Sequence, residues 1–216
     1  NVMGASKRLS EMVIQAYANE STKVEFNNSG SGNKTIYSMV RFGNVLGSSG
    51  SVVPLFCDQI SKGGPITLTH PNIIRYFMSI KEAAELLLQA SSLAEGGDLF
   101  LLDMGDPVSI NDLAKQIIKL SGLKVKDSAN QDGDIEIITT GLRPGEKLYE
   151  ELLIDNEAIS TEHPLIYKAI EKTLPTSLVF KRLEDLRSSL KNQDAKTSME
   201  ILQDLVPEWN RSVENN

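Results

Sequence analysis

The chain has 216 residues, 40% of them hydrophobic, with 22 Lys and Arg against 29 Asp and Glu, a net charge of −7. That is enough to bury a core as one large domain or two small lobes, and an acidic balance without a basic run argues against a nucleic-acid partner, though a few arginines can still hold a small anion such as a diphosphate. One cysteine, Cys57, rules out an internal disulfide, and His70 and His163 have no zinc-ligand spacing, a composition that suits a reducing cytoplasm. No apolar stretch approaches the roughly 20 residues of a membrane span, and residues 1–8 have no signal-peptide form. The sequence enters a helix almost at once, which suggests that it continues upstream.

Leu9, Met12, Val13, Ala16 and Tyr17 recur at helical spacing and predict a first helix over residues 5–19, with Lys7, Arg8 and Glu11 off its apolar stripe. A polar, turn-rich stretch over 27–34 leads into an apolar run, 35–42, that reads as a buried strand. It ends in a glycine-containing loop, 43–50. A helix over 52–60 follows, stopped by Gly63-Gly64-Pro65, then a short strand over 66–69. Ser79 and Glu82 have capping-box spacing and open a helix through about residue 94. The continuous apolar run Leu99-Phe100-Leu101-Leu102 reads as a central parallel strand. Ser109 caps a helix carrying Leu113, Ile117 and Leu120, Gly122 sits where it would end, and 135–138 returns as a strand. From Glu146 onward the pattern reads as helical and charged. Alternating helices and strands predict an α/β layer structure, yet no G-x-G-x-x-G is present, so a dinucleotide would need further sequence.

Several residues carry chemistry. Met3 and Lys7 lie one helical turn apart and can face one point, although a core methionine beside a surface lysine has the same spacing. The 43–50 loop is either a connector or a turn whose N–H groups and Asn44 amide approach a phosphate. Arg75, set in Ile73-Ile74-Arg75-Tyr76-Phe77, needs an anion, either a protein carboxylate or a ligand. Arg143-Pro144-Gly145-Glu146 forms a turn expected to hold Arg143 at a strand end and Glu146 at a helix start. There Arg143 suits phosphate oxygens and Glu146 ribose hydroxyls, unless the two simply pair with each other. Lys81, Lys115 and Lys119 read as solvated, and Trp209 as a packing anchor.

Asn1-Val2-Met3-Gly4-Ala5-Ser6-Lys7-Arg8, the run from Arg41-Phe42-Gly43-Asn44-Val45 to Val53-Pro54-Leu55-Phe56, and Leu142-Arg143-Pro144-Gly145-Glu146-Lys147-Leu148 together resemble one family. It is the polysaccharide-biosynthesis branch of nucleotide-diphosphate-sugar 4,6-dehydratases, in the extended short-chain dehydrogenase/reductase superfamily. The resemblance is strongest through Ile154, and its large, membrane-anchored members carry methionine in place of the superfamily's catalytic tyrosine, here Met3. It implies the C-terminal portion of a Rossmann-like doubly wound parallel sheet with a smaller α/β substrate-binding lobe and a helical tail. Residues 1–62 and 79–105 would belong to the NAD-binding part, 63–78 and 106–216 to the lobe. Without the first strands, the 99–102 and 36–40 strands would lack neighbours on one side, leaving a piece that is marginal or associates.

The resemblance further implies NAD as cofactor and a UDP-N-acetylhexosamine as substrate, dehydrated to a 4-keto-6-deoxy sugar. Lys7 and Met3 would be the catalytic pair, Lys7, Arg41, Gly43, Asn44 and Val45 would contact the cofactor, and the base would precede Met3. Asn44, Ser51, Val53, Phe56, Thr67, Arg75, Arg143 and Glu146 would bind the sugar nucleotide, the 66–69 strand reading uracil through its backbone. A homo-oligomer in the cytoplasm is implied, touching the membrane only through an upstream region. The alternatives are a sister epimerase or reductase, or a non-catalytic nucleotide-sugar-binding module.

Overall fold

The structure, a computed structural model, describes residues 1–25, 35–143, 145–149 and 158–209. The turn-rich loop, Pro144 and residues 150–157 of the expected helical tail lie outside the described residues. In chain order the elements are α1 (Val2–Glu25), β1 (Met39–Arg41), β2 (Asn44–Val45), α2 (Val52–Ser61), β3 (Ile66–Leu68), β4 (Ile74–Arg75), β5 (Phe77–Met78), α3 (Ile80–Ser92) and β6 (Leu99–Leu102). They continue with β7 (Val108–Ser109), α4 (Ile110–Leu120), β8 (Val125–Lys126), β9 (Ile135–Thr139), β10 (Ala158–Ser160), β11 (Ile166–Ala169), α5 (Thr176–Lys191) and α6 (Ala195–Leu205). The fold is α/β, and no described helix is long and apolar enough to cross a membrane.

The chain divides into two compact units. Unit 1 comprises Asn1–Arg41, Leu87–Leu102 and Leu153–Asn216, and unit 2 comprises Phe42–Leu86 and Asp103–Leu152. Residues 42–62 pack within unit 2 and the C-terminal helices within unit 1.

Unit 1 is built on a four-stranded sheet of order β1-β6-β11-β10. All four residues of β6 are buried, as a continuous apolar run requires of a central strand. β1 pairs with it in parallel, Val40 opposite Phe100, while β11 pairs on its other side antiparallel, Ile166 opposite Leu102. Two expectations are corrected here. β6 does not lack a neighbour, because β11 supplies one, with β10 beyond it, from a stretch expected to be helical. The four residues of β11 are too few to display a period, and the strand's partner β6 lies far back in the chain. The turn is fixed by Thr161, whose hydroxyl lies 2.7 Å from the Ile166 carbonyl. The strand expected over 35–42 is confined to Met39–Arg41, and β1 has no second strand partner among the described residues.

α1 runs further than residue 19, to Glu25. Its stripe of Ala5, Leu9 and Met12 packs with Ile201, Leu202 and Leu205 of α6 and with Trp209, the anchor expected from the sequence. Arg8, expected off the stripe, is buried. Its guanidinium is neutralised by Glu171 at 2.6 Å and Glu11 at 3.1 Å, with Glu208 at 3.5 Å.

Unit 2 has a parallel sheet of order β3-β9-β8, with β2–β5 and β4–β7 as separate pairs. α4 lays Ile110, Ala114, Ile117 and Ile118 at i, i+4, i+7 and i+8 into a core with Phe56, Ile60, Ile66 and Ile135. Ser109 caps this helix by accepting from the Asp112 N–H at 3.2 Å. The capping box at α3 is reciprocal: Ser79 N–H donates to Glu82 at 2.8 Å, and Glu82 N–H donates to the Ser79 hydroxyl at 3.1 Å.

Candidate functional site

Unit 2 brings four polar residues of the expected substrate set into one region. β4 carries Arg75, half-buried, and the arginine reaches two kinds of acceptor. Its Nη1 donates to the carbonyls of Ile74 (2.7 Å) and Leu148 (3.1 Å), and its Nη2 lies 3.7 Å from the Glu146 carboxylate. Glu146 also accepts from the Thr69 hydroxyl at 3.0 Å and from the backbone N–H of Arg143 at 3.1 Å. The carboxylate therefore ties the end of β3 to the 143–146 turn. Both readings of Arg75 meet here, since a protein carboxylate stands beside it and main-chain oxygens hold its fork in place.

Arg143 is exposed, and its guanidinium has no partner among the described residues. The loop staple is thus formed by its backbone and leaves the fork outward. Glu146 lies in a turn instead of at a helix start, because no helix is described over 145–149. Thr67, on β3, is half-buried; its N–H donates to Gln59 Oε1 at 3.1 Å and its hydroxyl accepts from Gln59 Nε2 at 2.7 Å. Gln59 and Thr69 are absent from the expected set. Thr69 was detectable as the residue two positions beyond Thr67 on a strand, whereas nothing near Gln59 in sequence marks it.

Gly43, Asn44 and Val45 form the other part of unit 2 that carries candidates. Asn44 donates to the Tyr76 carbonyl from both its backbone N–H and its side-chain amide, each at 3.1 Å. A Cβ on Gly43 would lie 3.1 Å from that carbonyl oxygen and inside van der Waals contact with the Met104 sulfur, so glycine lets Met104 pack against this strand without displacement. Ser51 stands at the start of α2 without capping it, and its hydroxyl is buried with no partner among the described residues. Phe56 is 1% exposed and Val53 packs against the same core, so both act through the seating of α2.

Met3, Lys7 and Arg41 belong to unit 1. Met3 is 63% exposed and Lys7 is exposed, one turn apart on α1, and Lys7 makes no ion pair among the described residues. Arg41 is committed to carboxylates: Glu11 at 2.6 Å and Glu171 at 2.6 Å. Burial works against its charge, but the hydrogen bonds it donates to Glu11 and Glu171 outweigh that and hold the guanidinium above its ordinary value. No group of three metal-ligating side chains occurs among the described residues.

The chain is similar to known proteins over most of its length. A family model described as polysaccharide biosynthesis protein matches residues 1–171. The chain is 55% identical over 157 residues to the capsular polysaccharide biosynthesis protein CapD of Staphylococcus aureus, covering 73% of this chain and 23% of that protein. It is 36% identical over 158 residues to a UDP-glucose 4-epimerase of Rickettsia rickettsii, covering 73% of this chain and 40% of that one. Among solved structures, Pen from Bacillus thuringiensis matches with a TM-score of 0.52 at 36% identity, over 68% of this chain and 44% of the other. The chain therefore spans less than half the length of each of these proteins. With a family match over most of its residues and a relative identical at more than half of the aligned positions, it belongs to the polysaccharide biosynthesis protein family.

Proposed function

We propose that the chain is the nucleotide-sugar-binding part of an NAD-dependent 4,6-dehydratase that acts on a UDP-N-acetylhexosamine, UDP-N-acetylglucosamine foremost, to supply surface polysaccharide synthesis. The observation that carries this reading is the Arg143–Glu146 turn. It offers an exposed guanidinium with no described partner beside a carboxylate already linked to Arg75 and Thr69. A fork of donors next to an acceptor suits a diphosphate joined to a ribose. The identity to CapD supports the polysaccharide setting, and the Met3–Lys7 pair supports the dehydratase branch.

For the cofactor, this chain offers Lys7: an exposed ammonium on α1, without a described ion partner, fits a ribose hydroxyl of NAD. A glycine-rich pyrophosphate turn is not present in the sequence, so the fit is limited to the nicotinamide end. NAD would supply reversible hydride acceptance, and Lys7 would hold its ribose on this chain. The chain's own residues orient and polarise. Lys7 would place positive charge near the C4 oxygen, lowering the cost of negative charge there. Met3 has no exchangeable proton, so proton transfer falls to a group other than this pair. Arg143 and Arg75 would fix the diphosphate and Glu146 the ribose, holding the hexose in register. A C4 ketone acidifies the C5 proton; loss of that proton and of the C6 hydroxyl releases one water.

The epimerase relative favours a second reading, configurational inversion at C4. Full-length protein incubated with UDP-N-acetylglucosamine separates the two. A product lighter by one water supports the dehydratase, an isomer of unchanged mass supports the epimerase, and unchanged substrate supports a binding module.

A further inference from the structure

Lys7 and Glu11 lie four residues apart on α1, the spacing at which an ammonium and a carboxylate pair across one helical turn. They are not paired in the structure: Lys7 is exposed and has no ion partner among the described residues. Arg41 supplies the reason. Its Nε donates to Glu11 Oε1 at 2.7 Å and its Nη2 to Glu11 Oε2 at 2.6 Å, a fork that engages both oxygens. The same guanidinium donates to Glu171 from Nη1 at 2.6 Å and from Nη2 at 3.1 Å. Arg8 reaches Glu11 Oε2 alone, at 3.1 Å, so Oε1 is held by Arg41 and by no other described residue.

Both ends of the Arg41 guanidinium are thus directed at carboxylates, a bidentate contact that a lysine could not make. The fork is also largely shielded from water, its two side chains 18% and 15% exposed, whereas a Lys7–Glu11 pair would lie at the surface and be screened. The shielded fork therefore outcompetes the helical pair, and the consequence falls on Lys7. An ammonium paired with a carboxylate must break that contact before it donates to a ribose hydroxyl; an unpaired one need not.

We infer that Arg41 is a positioning residue for Lys7: by engaging both oxygens of Glu11 it keeps that carboxylate from pairing with the ammonium that meets the cofactor ribose. This rests on the reading above in which Lys7 binds NAD. Arg41 then acts through Glu11 and not by contact with the cofactor, a different role from the one the family resemblance implies.

The test measures dissociation constants of NAD and of UDP for full-length protein. Arg41→Met releases Glu11 and should weaken NAD about twofold, the competition expected of one exposed helical ion pair, with UDP binding unchanged. Adding Glu11→Gln should restore the NAD affinity. In a Lys7→Met background, Arg41→Met should have no further effect on NAD. Should Arg41→Met fail to fold, Ser10→Glu carries the test: it sets a carboxylate at an exposed position three residues from Lys7, and it should weaken NAD about twofold with Lys7 present and not in Lys7→Met. A loss in Arg41→Met that persists in the Lys7→Met background overturns the inference, and one of about tenfold or more there marks direct contact of Arg41 with the cofactor. Equal loss of NAD and UDP, or NAD binding unchanged in both Arg41→Met and Ser10→Glu, also overturns it. If Lys7→Met alone binds NAD as wild type does, the cofactor reading of Lys7 fails and the inference with it.

Discussion

Glu171 is the most deeply buried carboxylate of the ion cluster in unit 1, its side chain 2% exposed, and it serves two arginines at once. Arg8 Nη1 lies 2.6 Å from one oxygen, and Arg41 donates to both, at 2.6 and 3.1 Å. Glu171→Gln keeps the shape and deletes the charge, leaving two guanidinium groups facing Glu11, with Glu208 at the margin. Removing one partner of a buried pair costs about 3–5 kcal/mol. Glu11 still compensates one arginine and Arg41 keeps some solvent contact, so the lower end applies, about 3 kcal/mol. For a chain of this size that corresponds to a fall of about 6–12 °C in melting temperature. The assay is thermal unfolding followed by two probes, with Asp58→Ala as control. Asp58 and Lys62 form an exposed i,i+4 pair at 2.7 Å, and its loss should matter little. If Glu171→Gln melts with wild type, the cluster does not hold unit 1 together and the reasoning fails.

Asp98 accepts from the N–H groups of Glu95 and Gly96 and pairs with Lys168. Burial pushes its carboxyl up, but Lys168 and the two N–H groups win and hold it below the ordinary value, while the bond to Asp98 holds Lys168 above its own. The stability this pair contributes is present above the unfolded carboxyl value of about 4 and lost as pH falls through the depressed one. On the alkaline side it is lost as pH rises through the raised lysine value, the unfolded value being about 10.4. Asp98→Asn should therefore lower the melting temperature across neutral pH and converge on wild type in strong acid; a constant difference would count against the pair. Gly43→Ala should destabilise by about 1–3 kcal/mol, since the methyl meets Met104 and the Tyr76 carbonyl, and Gly43→Ala with Met104→Ala should recover part of that loss in denaturant titrations. Lys7→Met in full-length protein should reduce turnover at least 100-fold while UDP binding is kept, as isothermal titration would show.

What could be read from the sequence was local or strongly apolar. The capping box at Ser79, the Ser109 cap and the α4 stripe depend on neighbours three or four residues away, and the burial of β6 is dictated by four consecutive apolar residues. The β10–β11 hairpin was hidden because Ile166-Tyr167-Lys168-Ala169 acquires its meaning only from Leu99–Leu102. Arg8 misled for the same reason, since the helical wheel placed it outside the stripe while its neutralising carboxylate, Glu171, comes from the other end of the chain. At the candidate site, Arg75, Arg143, Glu146 and Thr67 were legible as chemistry. The bonds that organise them, Thr69 to Glu146 and Gln59 to Thr67, required the packing of α2 and the 143–146 turn against β3.

The central claim, dehydration across C5 and C6 of a UDP-hexosamine, is tested most directly by turnover of full-length protein with UDP-N-acetylglucosamine in deuterated water. Proton loss from C5 during elimination predicts a product that lacks one water and carries a solvent deuteron at C5. An isomer of the substrate with its C5 hydrogen retained would contradict the claim.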